Sequence, residues 1–273
     1  MIKGEHKNGV MVFVGTEHKL RTDDLFDQGA YNGTDDEGDS NHQIQPSCLV
    51  GRIKCIKQMP LDAMHLICLG AVRRMIKFWN KGAPTSKAGK LPPTKRVTLA
   101  NRVEELHGKL PREFARQPKQ FNHSETWKAT ELRQFLLFVG PVILRNILSQ
   151  DYLVHFLSLS IAYTILCYKN FANRQKFLDY ARQLLKFYVN EASELYSEEF
   201  MSNNIHSLLH IADDVENLDC AIMDISAFPF ESFMSVLKSM VRGSTNQSSK
   251  SSNVLTSKQQ QVLPENKRFR QHS

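Results

Sequence analysis

Between Met59 and Gly82 the sequence carries one unbroken helical period, and this stretch limits the rest of the fold more than any other. Pro60 suits the first turn of a helix, where its missing N–H costs nothing, while Gly82 and Pro84 stop the pattern. A helix is therefore predicted from about Pro60 to Lys81. At about 100° per residue, Leu61, Met64, Ile67, Cys68, Val72, Met75, Phe78 and Trp79 share one apolar face that other elements must cover. Asp62, Arg73, Lys77 and Lys81 fall opposite, and His65 sits at the border. Two readings stand side by side: a solvated charged face over an inert, buried Cys68, or a metal ion on Asp62 with Arg73 and Lys77 along a phosphate backbone.

The remaining strong patterns are also helical. Helices are expected over Lys95 to His107, from Ser124 to Leu148 with a kink at Gly140-Pro141, over Asp151 to Tyr168, and over Asn173 to Tyr196. In the last of these, Phe177, Tyr180, Leu184, Leu185, Phe187 and Tyr188 recur at helical intervals and are read as core. The run Tyr152 to Tyr168 falls short of the ~20 apolar residues of a membrane span and holds His155, Ser158, Ser160 and Thr164, so it is read as a buried helix with no membrane partner. Strand patterns are few: one at residues 10 to 14 and one near 50 to 56. The expected fold is mainly α, with the N-terminal strand and an acidic loop in residues 1–58, a helical region over 59–243 and a disordered tail over 244–273. The acidic cluster Asp35, Asp36, Glu37 and Asp39 lacks the alternation of an EF-hand and is read as loop.

With 273 residues, 41% of them hydrophobic, the chain can bury one sizeable core. Its net charge of +7 favours an anionic partner without naming one. Five scattered cysteines without a CxxC pair argue against a disulfide scaffold and for a reducing, intracellular setting. The polar start Met1-Ile2-Lys3-Gly4-Glu5-His6-Lys7 is not read as a signal peptide.

Three further clusters carry chemistry. Arg112 and Arg116 in Pro111-Arg112-Glu113-Phe114-Ala115-Arg116 interleave cations with one aromatic, fit for phosphates or for a solvated loop. His206 and His210 are four apart on one predicted helix face with Asp213 following, a usable zinc bite but only half a site; Ser207 replaces the glutamate of a metalloprotease HExxH. In Ser226-Ala227-Phe228-Pro229-Phe230-Glu231, a proline-started helix puts Phe230, Phe233, Met234, Leu237, Met240 and Val241 on a predicted buried face. Glu231, Ser235, Lys238 and Arg242 lie opposite, and Glu231 in the first turn also suits the helix dipole without any catalytic duty.

In this order the segments Pro60–Gly70, Pro111–Arg116, Trp127–Glu131, Asn204–Val215 and Ser226–Glu231 resemble the C-terminal part of the catalytic region of CACTA (En/Spm-type) cut-and-paste DNA transposases, in their animal form. The resemblance implies a truncated RNase H-like core with a helical insertion over residues 90–200. It also implies a site for Mg or Mn built on Asp62 and Glu231, and DNA as partner, held by Arg73, Lys77, Arg112, Arg116, Lys238 and Arg242. His65 with Cys68 and His206 with His210 resemble two halves of a structural zinc site. The family's first catalytic aspartate has no counterpart in this sequence, so the resemblance implies a transposase-derived chain, nuclear or cytoplasmic, that is inactive alone. Such a chain would partner a second copy of itself or a full-length transposase. The alternative is a non-catalytic helical module that binds DNA or protein.

Overall fold

A computed structural model describes residues 4–17, 19–31, 48–114, 116, 119–170 and 172–242, with the backbone alone for 241 and 242. The acidic loop and the tail over 244–273 lie outside the described residues. The chain divides into two compact units, Met1–Ala227 and Phe228–Ser273. The described residues are mainly helical, as expected.

The strand content is one hairpin, β1 (Glu5–Lys7) antiparallel to β2 (Val10–Val12), with Glu5 opposite Val12. Its turn is Asn8-Gly9, with φ of 52° and 76°, the pair that a two-residue hairpin prefers. That dipeptide was a legible signal for β1. The strand expected near 50 to 56 is instead a run of turns: Gly51 takes a φ of 73°, and the Arg52 and Ile53 N–H groups both return to the Leu49 carbonyl, at 3.0 and 3.2 Å. The larger sheet of an RNase H-like core is therefore not formed among the described residues. The hairpin is held by distant partners, with Phe13 N–H donating to the Met201 carbonyl at 2.7 Å and Lys7 pairing with Glu198 at 2.7 Å.

After α1 (Asp23–Asp27), the predicted central helix forms as one rod in two parts, a π-helical segment Met64–Val72 that continues into α2 (Arg73–Lys81) and ends at Gly82 with a φ of 78°. The wide segment carries Gly70 against a neighbour: a Cβ there would lie 2.7 Å from Asn204 Nδ2 and 3.0 Å from the His65 carbonyl. Next comes α3 (Pro93–Glu105).

The single helix expected from Ser124 is broken up. A 3₁₀ turn Phe121–Thr126 stops before Lys128, whose N–H is taken by the Glu131 carboxylate at 2.7 Å, and α4 (Ala129–Gln134) starts there. A second π segment, Phe135–Val139, leads into α5 (Gly140–Ile143). The kink expected at Gly140-Pro141 is thus a widened turn, consistent with a proline that has no N–H to give to the regular ladder. Gly140 again lacks a Cβ where one would meet the Phe156 ring at 2.5 Å.

The core lies against the antiparallel pair α6 (Gln150–Leu166) and α7 (Arg174–Tyr196). Trp79 donates its indole N–H to Tyr196 Oη at 3.0 Å, and Phe156, Tyr196 and Phe200 are fully buried around it. His155 stacks on Tyr188 at 4.0 Å between ring centres, and burial pushes its pKa down to about 4, so the ring is neutral at physiological pH. On α7 the covered face is Leu178, Ala181, Leu185, Tyr188 and Ala192, whereas Phe177, Tyr180 and Phe187 are 38–47% exposed, correcting the reading of the whole aromatic stripe as core. A continuous helix has room for only one face inward, and the stripe was wider than that face. No helix among the described residues is long and apolar enough to cross a membrane. The short helices α8 (Asn203–Ser207) and α9 (Ile211–Asn217) close the first unit.

The second unit contains α10 (Phe228–Arg242). The face read as buried is exposed there, with Phe230 at 71%, Phe233 at 49% and Met234 at 48%. The helix is amphipathic as predicted, but no described element of its own unit covers the apolar side.

Candidate functional site

Asp62 stands just before the π segment, in the position from which a short polar side chain caps a helix. Its Oδ1 accepts the N–H of Met64 at 3.1 Å and of Ala227 at 2.7 Å, with Ser226 Oγ at 3.5 Å. Its Oδ2 accepts the His65 N–H at 3.2 Å and the His65 Nδ1. A carboxylate offers about four lone-pair directions, and these contacts take them all. Burial raises the Asp62 pKa, but the bonds from Ala227, His65 and Met64 outweigh it and hold the carboxyl below its ordinary range.

A second carboxylate that sequence reasoning passed over completes the junction. Asp214 accepts the Leu61 N–H at 2.9 Å. Burial raises its pKa, the Leu61 bond lowers it, Asp213 raises it again, and the net direction is up. Asp213, read as the partner of the histidines, faces Arg182 at 2.7 Å instead. Together Asp62 and Asp214 tie the segments starting at Pro60, Asn204 and Ser226 to one another. Arg73 adds Trp127, donating Nη2–H to its carbonyl at 2.8 Å. Three of the five segments that carry the transposase resemblance, together with Ser226-Ala227 from the start of a fourth, are thus neighbours in the first unit.

The zinc quartet does not assemble. His65 is committed to Asp62, while the fully buried Cys68 faces Tyr163, Cys167 and Arg133, and burial pushes its thiol up to about 12. His206 lies in the last turn of α8 and His210 precedes α9, so a turn separates the two histidines that the i, i+4 pattern had placed on one helix; their rings meet edge to face at 5.5 Å. Among the described residues no three His, Cys, Asp or Glu side chains are grouped to hold a metal ion. The residues present do not fit a structural zinc. Asp62 likewise does not fit Mg or Mn as a ligand, because coordination would have to displace bonds that hold the junction together. Glu231 lies in the first turn of α10 and is exposed.

The cationic residues divide. Arg112, Arg116 and Lys238 are exposed, and the Arg242 side chain lies outside the described residues. Arg73 and Lys77, joined by Lys81, Ile76, Ser124 and Glu125, line a cleft of about 240 Å³ between α2 and the 3₁₀ turn. Lys81 and Glu125 form an ion pair at this cleft. Sequence spacing located the cations, whereas Ser124 and Glu125 join them only through the tertiary fold.

The fold and these sites define a mainly helical protein with one saturated carboxylate junction and one basic cleft. No family model, no curated protein and no solved structure matches the chain.

Proposed function

We propose that the chain is a transposase-derived, DNA-directed protein that engages DNA without cutting it by itself. The observation that supports this reading is the Asp62 junction. Segments that resemble the transposase motifs but lie 153 and 165 residues apart meet through the bonds from Leu61 to Asp214 and from Ala227 to Asp62. Segments that match a family by chance have no reason to meet through two neighbouring carboxylates, Asp62 and Asp214. The same junction argues against cleavage: in-line attack by two-metal chemistry needs carboxylates with free lone pairs, and those of Asp62 are engaged. DNA would be held through its phosphates, which cationic side chains position without reading sequence.

The test is binding of a labelled duplex over a range of salt, together with a nicking assay on supercoiled DNA in Mg²⁺ or Mn²⁺ with the wild type, Asp62→Ala and Glu231→Ala. Binding that weakens steeply with salt and no nicking is the expected outcome. Nicking that depends on Asp62 would overturn the non-cutting part. Absence of duplex binding at physiological salt would overturn the DNA-directed part and favour a helical module for protein partners, a reading for which the exposed Phe230, Phe233 and Met234 speak.

A further inference from the structure

The cleft between α2 and the 3₁₀ turn has unspent hydrogen-bonding capacity of one sign. Arg73, Lys77 and Lys81 recur every four residues, so their side chains leave one side of α2 in a row with a rise of ~6 Å between successive members. The Arg73 guanidinium is fixed by its bond to the Trp127 carbonyl at 2.8 Å, and its Nε is buried without a hydrogen-bond partner. Ser124 is 2% exposed; its Oγ accepts from Asn80 Nδ2 at 3.1 Å, and among the described residues no acceptor takes its own O–H. Lys77 is exposed and forms no hydrogen bond among the described residues. Opposing these donors stands one carboxylate, Glu125, bonded to Lys81. Lys81, and more weakly Lys77, hold the Glu125 carboxyl below its ordinary range.

A volume of about 240 Å³ is that of several waters at ~30 Å³ each, enough for a partly hydrated phosphate group. The lining has no aromatic ring on which a base could stack, so it suits a sugar-phosphate backbone rather than a free nucleotide. We propose that this cleft seats one phosphate of a nucleic-acid backbone between Arg73, Lys77 and the Ser124 hydroxyl, and that Glu125 is a built-in competitor which gives up Lys81 when the phosphate enters. The inference rests on the DNA-directed reading above and adds the place of contact and its internal counter-ion. Because the competitor belongs to the chain, the cleft has a property that a plain basic patch lacks: removing a negative charge and removing a positive one act in opposite directions, at neighbouring residues.

The test uses the full chain and a labelled duplex, with anisotropy read over a range of salt for the wild type, Lys77→Ala and Glu125→Gln, and with inorganic phosphate as a competitor. Lys77 and Glu125 are both exposed, so both variants are expected to fold, which circular dichroism checks. Lys77→Ala is expected to weaken binding about fivefold at ~0.15 M salt and to lower the salt slope by about one, the signature of a single lost phosphate contact. Glu125→Gln is expected to tighten binding. If the wild type binds duplex and both variants bind as it does, the cleft is not the contact, and the inference falls while the DNA-directed reading stands. If the wild type binds no duplex, that reading falls, and the inference falls with it even where inorganic phosphate still binds in a Lys77-dependent way.

Discussion

The two ends of the rod Met64–Lys81 carry the same kind of side chain to different ends. At the N-terminal end the polar group, Asp62, has its acceptor capacity filled by backbone N–H groups from two parts of the chain and by His65. At the C-terminal end Lys77 and the Ser124 hydroxyl still have protons to give. The carboxylate is structural because no acceptor capacity is left over; the ammonium and the hydroxyl can meet a ligand because donor capacity is. Charge and helix phase looked equally promising at both ends, and only the count of hydrogen bonds separates them.

The largest expected effect follows from the closed end. Asp62→Ala removes a cap and strands the Ala227 N–H, which together should cost about 2–4 kcal/mol in urea unfolding. A loss below ~0.5 kcal/mol would mean that water replaces the carboxylate freely, and the contrast between the ends would fail. Next comes Gly70→Ala, where the new methyl meets the Asn204 side chain and the His65 carbonyl. About 1–3 kcal/mol should be lost, and part of it recovered when Asn204→Ala is added, as a double-mutant cycle reads.

A sharper comparison sets the two junction carboxylates against each other. Asp62 titrates below its unfolded value, so its stabilising effect is complete above the ordinary carboxylate range near ~3.9 and is lost as pH falls through the lower folded value. Asp62→Asn should cost about 1 kcal/mol at neutral pH and nothing at acid pH. Asp214 runs the other way: its folded pKa is raised, so stability falls as pH rises between the ordinary value and the raised one. Asp214→Asn keeps an acceptor for Leu61 and should leave stability at neutral pH unchanged or raise it by up to about 1 kcal/mol. Thermal unfolding of both variants from acid to neutral pH gives the two signs, and equal signs would refute this account. Smallest of all, Glu231→Ala and Lys77→Ala should cause no measurable loss of stability, since both side chains are exposed.

Much of the fold was legible because helix formation is local. The rod, α6 and α7 were readable from proline, glycine and apolar spacing alone. The π segments were not, since periodicity assumes a regular turn and the widening coincides with neighbours packed against Gly70 and Gly140. Nor was the break between His206 and His210, where a four-residue spacing looks the same in one helix or two. Asp62 stood out by its type and its place before the helix, but its bond to Ala227 was not legible, because no local rule reaches across the intervening chain. Asp214 was passed over in favour of Asp213 because adjacent carboxylates differ only in which way the backbone turns them.

The π segment also gives the rod a phase. Each residue in an ordinary helix advances the side chains by about 100°, so a segment that carries extra chain per turn resets the direction in which everything after it points. Deleting one residue from Met64–Val72 is the natural way to restore the regular ladder. Rewinding the same nine residues as a regular α-helix without such a deletion would leave Asp62 at its junction and swing Arg73, Lys77 and Lys81 by roughly 100° or more away from Ser124, while bringing Trp79 out of its contact with Tyr196. The wide turn thus works like the offset between two gears on one shaft: it lets a single helix answer to the junction at one end and to the cleft at the other.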